Sequence, residues 1–194
     1  MSRRRFSLNI LNAKKVNFKV PFTWYSIIST WFFAGKFPSA PGTFGSIAAY
    51  PIYYFILNHS NSFAEAKKYL LISCIFLFII GFFAVKKFQE KTNTYDHSYI
   101  VIDEVIGQLL TIYISFDWLF SLEQMIPIEI STKILVFGIA FIVFRYFDIR
   151  KPLIIDYVNR KWKGAFGVIF DDILAAIFAS FVIYITYLIS TLFN

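Results

Sequence analysis

The sequence predicts an all-α, multi-pass membrane bundle with some short or re-entrant helices, and three observations carry that prediction. Hydrophobic residues make up 58% of the 194-residue chain and aromatic residues 21%. Only 16% of residues are charged, against about 25% in an average soluble protein. The apolar runs are long and continuous, with a mean hydropathy of +0.61 over the chain, whereas a barrel strand would place polar residues at alternate positions. A chain of this length makes one compact unit, read as a basic arm over residues 1–20 and a single helical membrane domain over 21–194.

The arm opens Met1-Ser2-Arg3-Arg4-Arg5 and adds Lys14, Lys15 and Lys19, six basic residues with no acid. No apolar core follows the arginines, so a cleaved signal peptide is not expected. This charge suits the anionic headgroups of a cytoplasmic leaflet, and it also fits a solvated tail; neither reading calls for nucleic acid.

Six apolar segments follow. Residues 22–34 are too few to span comfortably and read as interfacial or re-entrant. Residues 44–57 are interrupted by Pro51. Residues 69–85 form an uncharged run of 17, flanked by Lys67-Lys68 and Lys86-Lys87, just long enough to cross a bilayer. Residues 105–118 extend a run that starts at Tyr99 and is broken by Asp103-Glu104. Residues 134–144 end at Arg145, and residues 173–193 give 21 uncharged positions, the strongest span.

If the last five alternate across the bilayer, the pieces 1–43, 86–104 and 145–172 share one side and hold 16 of the 19 Lys and Arg. The positive-inside rule then makes that side cytoplasmic and the C-terminus external. The same side receives Asp96, Asp103, Glu104, Asp148, Asp156, Asp171 and Asp172, although acids played no part in choosing it. The location expected is a bacterial cytoplasmic membrane with the site facing inward.

Carboxylates are scarce, 12 in all, and those beside apolar runs are costly unless they bind a metal, move a proton or contact a ligand. Four stretches carry the chemistry. Residues 35–46 read Gly-Lys-Phe-Pro-Ser-Ala-Pro-Gly-Thr-Phe-Gly-Ser, a break after which Thr43 or Ser46 can cap a helix; with Lys36, its amides and hydroxyls suit a phosphate. A plain turn fits that stretch too, and it lacks the Gly-Lys-Ser/Thr ending of a Walker loop.

In residues 96–107, Asp96 and Asp103 are seven apart, on one face if helical, and Gly107 beneath Asp103 permits close approach. Oxygens clustered in this way suit Mg²⁺, while pairing of Asp103 and Glu104 with lysines is the bland alternative. His97 fits a general acid or base and, slightly better, an exposed surface residue, and His59 reads as part of a polar outer loop. In residues 144–152, Arg145 and Asp148 are spaced for a helical ion pair, Pro152 ends the helix, and Arg145 and Lys151 suit phosphate oxygens. Simple anchoring is the rival reading for Arg150. In residues 163–172, glycines turn the chain and Asp171-Asp172 stand at the start of the last helix, as metal ligands or, for one of them, a cap.

Together the four stretches resemble the phosphatidylglycerophosphatase A family. Its pattern runs Pro-Gly-Thr-x-Gly-Ser, Ile-Val-x-Asp-Glu-x-x-Gly, Phe-Arg-x-Phe-Asp-x-x-Lys-Pro and Gly-Gly-x-Gly-x-x-x-Asp-Asp. Here these appear in order at 41–46, 100–107, 144–152 and 164–172, within a similarity covering roughly residues 30–180. Ala165 replaces a glycine, Ala176 stands where the family usually has glycine, and Ile154 replaces a second proline. No candidate carboxylate is lost.

The resemblance implies an all-helical, Mg²⁺-dependent phosphoric monoester hydrolase acting on phosphatidylglycerophosphate, a phospholipid substrate, to give phosphatidylglycerol and phosphate. The metal ligands expected are Asp103, Glu104, Asp171 and Asp172. The catalytic set adds Asp96 and Asp148, and Lys36, Thr43, Ser46, Arg145 and Lys151 would bind phosphate. The oligomeric state is left open.

Rival chemistries lack their residues. Cys74 is alone, with no Cys-x5-Arg, and Asp-x-Asp-x-Thr is absent. The Asp-Gly…Ala-Arg signature of CDP-alcohol phosphotransferases is also missing. The remaining alternative is a small transporter or structural protein whose buried acids form a proton or cation relay.

Overall fold

The computed structural model describes residues 20–94, 97–125, 130–152 and 154–193, and every regular element among them is helical. In chain order these are α1 (Trp24–Ser29), a 3₁₀ turn (Ala34–Lys36), α2 (Pro41–Ile47), α3 (Tyr50–His59) and α4 (Phe63–Thr92). Then come α5 (Ile102–Ile114), α6 (Phe116–Gln124), α7 (Thr132–Arg150), α8 (Ile154–Lys161) and α9 (Gly164–Phe193). The basic arm expected at 1–20 lies outside the described residues apart from Val20.

α4 and α9 each have 30 residues and are long and apolar enough to cross a membrane. At 1.5 Å per residue each is about 45 Å long, against a hydrocarbon core of about 30 Å. α5 and α6 form a third apolar unit, bent by 68° at Ser115, which is a broken span or a re-entrant loop. α7 has 19 residues but carries Lys133, Arg145, Asp148 and Arg150. The five expected crossings therefore reduce to two clear ones and a bent pair. Segment 44–57 is not one helix, because α2 stops at Ile47 and α3 restarts at Tyr50. Pro51 in the first turn of α3 has no N–H to donate to Ile47, so the helix cannot run through.

The exposed surface of the long helices is apolar. Ile72, Ile75, Phe76, Ile79 and Phe83 on α4, and Ile177, Phe181, Ile185 and Ile189 on α9, all face outward. Such continuous apolar cover is unusual on a soluble monomer and natural in lipid.

The centre of the bundle is α5, which buries Ile102, Val105, Ile106, Leu109 and Ile112 against its neighbours. It lies alongside α9. Gly107 faces the Asp172 carbonyl, and the Ser180 hydroxyl lies 3.5 Å from the Thr111 carbonyl, so the two helices run parallel. Fully buried Ala175, Ala176 and Ala179 keep that face of α9 low, and the Phe144 ring of α7 packs into it. A Cβ on Gly107 would lie 2.5 Å from the Phe144 ring, so only glycine allows this approach.

These directions sort the bundle into two ends. The C-terminal turns of α4 and α7 and the N-terminal turns of α5 and α9 share one end, where Gly164 lies beside Gln89. The other end gathers α6 with the starts of α4 and α7. There Lys67 pairs with Asp117 at 2.6 Å and Thr132 donates to Glu123 at 2.7 Å.

Candidate active site

The chain between α4 and α5 is pinned before α5 begins. The Val101 N–H donates to the Ser29 carbonyl at 2.9 Å, which holds the backbone out of helix and starts α5 at Ile102. Asp103 and Glu104 therefore fall in its first turn. Asp171 and Asp172 sit in the third turn of α9, 2% and 3% exposed. Asp148 ends α7 on its buried side, and Lys151 follows in the left-handed region at φ 41°.

These side chains line one cavity of about 160 Å³. Its remaining walls are Pro41 and Gly42 at the start of α2, His97, Ser98 and Ile100 ahead of α5, and Val168 on α9. A Cβ on Gly42 would collide with the Glu104 carboxylate and lie 3.1 Å from Arg145 Nη2, so the bare backbone of α2 closes over that carboxylate.

Asp103, Glu104 and Asp172 each present an oxygen, and the three oxygens lie within 4.8 Å of one another. Asp171 turns aside and accepts from Lys151 Nζ. Asp148 accepts from Arg145 Nη1, which also approaches Glu104 Oε1 at 4.0 Å. Burial draws the Lys151 pKa down, but Asp171, then Asp172 and Asp148, outweigh it and leave it above the usual lysine value. Its ammonium therefore stays charged at neutral pH.

The carboxylates are under-satisfied. Asp103 Oδ1, Glu104 Oε2 and Asp172 Oδ2 are buried without a hydrogen-bond partner, as is Arg145 Nε. Buried unpaired oxygens are expensive, and three carboxylates that each bring an oxygen within 4.8 Å of the others suit a hard divalent cation, which takes carboxylate ligands and keeps sites for water and phosphate. Lys151 and Arg145 flank the cluster with charges fit for an anion.

A family model described as Phosphatidylglycerophosphatase A matches residues 27–187, which include every described side chain of the cavity. The chain belongs to the phosphatidylglycerophosphatase A family. It is 29% identical over 162 residues to the Haemophilus influenzae phosphatidylglycerophosphatase A, covering 81% of this chain and 85% of that one. Against the Escherichia coli phosphatidylglycerophosphatase A it is 27% identical over 175 residues, covering 89% and 88%. A Bacteroides thetaiotaomicron relative, provisionally named a phosphatidylinositol-3-phosphatase, is 30% identical over 160 residues, covering 79% and 87%. No solved structure matches the chain. Family membership makes the chain a phosphatase and removes the transporter alternative.

Within this phosphatidylglycerophosphatase A fold, the residues expected from sequence divide into three groups. Asp103, Glu104, Asp148, Asp171, Asp172 and Lys151 meet in the cavity, and Arg145 stands behind it. Of the four expected metal ligands, Asp103, Glu104 and Asp172 share one point, while Asp171 is taken by Lys151. Lys36, Thr43 and Ser46 do not line it. Lys36 Nζ lies 4.4 Å from the Phe33 ring centroid, and the buried Ser46 hydroxyl donates to the Gly42 carbonyl. Thr43 and Ser46 sit inside α2 rather than capping it, because Pro41 begins the helix. Asp96 lies outside the described residues.

Asp171 and Asp172 are likewise not at a helix start. α9 begins seven residues earlier at Gly164, whose φ of +80° makes the turn, so capping does not explain them. His97 is half-buried against the cavity, not on open surface, and its Nδ1 accepts from the Tyr99 N–H at 3.2 Å. Gly42 was missed as a neighbour of Glu104. The only hint in the sequence was the Pro-Gly step, which marks a close turn without naming what it approaches.

Proposed function

We propose that the protein hydrolyses phosphatidylglycerophosphate to phosphatidylglycerol and inorganic phosphate with Mg²⁺ as its cofactor, at the cytoplasmic face of a bacterial membrane. The observation that carries this reading is the meeting of Asp103, Glu104 and Asp172 in a cavity flanked by Lys151, inside a chain of the phosphatidylglycerophosphatase A family. The substrate comes from the names of the Haemophilus and Escherichia relatives. The Bacteroides relative supports a second lipid to test, a phosphatidylinositol 3-phosphate.

Hydrolysis joins a water oxygen to phosphorus, breaks the bond from phosphorus to the glycerol oxygen, and returns a proton to that oxygen. Asp103, Glu104 and Asp172 would hold the metal, with Asp171 close by. Mg²⁺ at that cluster supplies charge neutralisation and an acidified water. Lys151, kept cationic by Asp171, binds a non-bridging phosphate oxygen as a point charge. Arg145 holds Asp148 and steadies Glu104 from behind. A carboxylate of the set takes the water proton. The proton then passes to the leaving oxygen from the carboxyl group that took it, with His97 on the cavity wall beside it. Asp96 keeps the catalytic place that its sequence position gave it.

Orientation follows from the two ends of the bundle. Lys86, Lys87, Lys91, Arg145, Arg150, Lys151, Arg160, Lys161 and Lys163 all belong to the end that carries the cavity, which supports placing that end at the anionic inner leaflet.

The deciding assay is phosphate release by purified protein from phosphatidylglycerophosphate, phosphatidylinositol 3-phosphate and phosphatidic acid, with Mg²⁺ or with chelator. Release from the first lipid, lost in chelator and restored by Mg²⁺, is expected. Full rates in chelator would refute the metal, and preference for the inositol lipid would replace the substrate. For orientation, in a Cys74→Ser background, Ser98→Cys should resist an impermeant thiol reagent in intact cells and Asn61→Cys should be labelled; the reverse pattern overturns the sidedness.

A further inference from the structure

A second cavity, of about 560 Å³, opens at the same end of the bundle between the last turns of α4 and the first turns of α9. Phe82, Lys86 and Gln89 of α4 line it, with Ala165 and Phe166 of α9 and Lys163 just before that helix.

The two cavities are lined by neighbouring stretches of α9 and of the connection from α4 to α5. On α9, Ala165 lines the second cavity, and Val168, three residues on and on the same face, lines the acidic one. On the connection from α4 to α5, Asn93 and Thr94 line the second cavity while His97 and Ser98 line the acidic one. Ala165 and Asp172 lie two helical turns apart on one face, about 10 Å.

The charges of the two cavities are opposite. Among the described residues no carboxylate lies within ion-pair distance of Lys86 or Lys163. Glu90, the acid on this wall, is within 3.7 Å of Lys87. The second cavity thus offers two ammonium groups to an anion and no acid cluster to hold a metal, so an anion here would be held without being hydrolysed. Its apolar walls, Phe82 and Phe166, suit hydrocarbon beside that anion. Lys86 directly follows the uncharged run of α4, which sets it at headgroup depth.

The lipid proposed as substrate carries two phosphates, a terminal monoester and a phosphodiester, joined through three glycerol carbons. We propose that the lysine-lined cavity binds the phosphodiester of the glycerophospholipid while the acidic cavity takes the terminal phosphate. This inference rests on the substrate proposed above. It gives the enzyme a way to prefer that lipid over phosphatidic acid, whose single phosphate cannot fill both cavities.

The test uses the full chain in mixed micelles, comparing wild type with the Lys86→Gln/Lys163→Gln and Lys86→Arg/Lys163→Arg pairs. The glutamine pair should raise KM for phosphatidylglycerophosphate by about tenfold, with a smaller change in kcat, since a contact held equally before and during reaction is lost. Its preference over phosphatidic acid should fall by a similar factor. Inhibition by phosphatidylglycerol, which keeps the phosphodiester and lacks the terminal phosphate, should weaken in parallel, and the arginine pair should restore all three.

Unchanged KM and inhibition would overturn the proposal, as would a fall in kcat alone or failure of the arginine pair to rescue. If the wild type releases no phosphate from phosphatidylglycerophosphate, the substrate reading fails separately. Direct binding of a fluorescent phosphatidylglycerol to wild type and to the glutamine pair then decides the cavity: weaker binding by the pair supports it, and equal binding sinks it.

Discussion

The two ends of the bundle treat charge in opposite ways. At the far end, charged groups are exposed and matched. Lys67 meets Asp117, and Ser62 caps α4 by accepting the Glu65 N–H at 3.2 Å, while Glu65 accepts from the Asn61 N–H at 2.7 Å. At the cavity end, carboxylates are buried and several of their oxygens have no partner. The first arrangement closes helix ends at little cost. The second is poor design for stability alone, because repulsion and lost hydration work against packing these acids together. Such an arrangement makes sense where a ligand completes it.

The largest expected effect separates function from stability at the cavity end. Asp103→Asn or Asp172→Asn should cut phosphate release on the order of 10²- to 10³-fold. The same variants should melt no lower than wild type in chelator, since each removes one of several crowded charges. Substantial activity in both variants would show that the cluster is merely tolerated.

Glycines sharpen the contrast next. Gly107→Val must displace the Phe144 ring or part α5 from α9, so a loss of about 1–3 kcal/mol is expected, with activity falling alongside. Gly138 of α7 has nothing within 4 Å of its would-be Cβ, so Gly138→Ala should be neutral or stabilise by up to about 1 kcal/mol. Thermal melts of both proteins in one detergent check the pair.

Smaller effects should grade the cations. Lys151→Ala and Arg145→Ala each free a buried carboxylate and are expected to slow turnover about tenfold or more, whereas exposed Arg150→Ala should stay within about twofold. Equal losses at all three would point to insertion or folding instead. Smallest of all, Lys67→Ala at the far end removes an exposed pair and should cost less than about 1 kcal/mol with activity unchanged.

The sequence showed most where single residues are physically expensive. Uncharged runs announced α4 and α9, and the adjacent acids beside apolar runs announced the cavity. It showed least where a tertiary contact sets a boundary. The start of α5 depends on Val101 binding Ser29, 72 residues earlier, a contact that no local pattern announces. The helix break before α3 was signalled by Pro51 but read as an interruption within a span. Glycines near 164 predict Asp171 and Asp172 at a helix start, yet Gly167 lies inside α9, packed against the Trp162 carbonyl. Lys36 and Ser46 show the remaining gap, since a phosphate-like motif fixes which groups are available but not where they point.

Lys151 leaves a last consequence. It holds its ammonium beside Asp171 from a left-handed backbone, φ 41°, that an ordinary L-residue adopts at a cost of roughly 1–2 kcal/mol and glycine adopts freely. Glycine here would relax the end of α7 but would delete the cation and leave the buried Asp171 carboxylate unpaired, a loss of about 3–5 kcal/mol that outweighs the relief. A laboratory selection for heat tolerance alone would therefore keep the lysine as firmly as a selection for activity. At this one position the two pressures point the same way, so the bent end of α7 is a poor place to look for a trade between sturdiness and turnover.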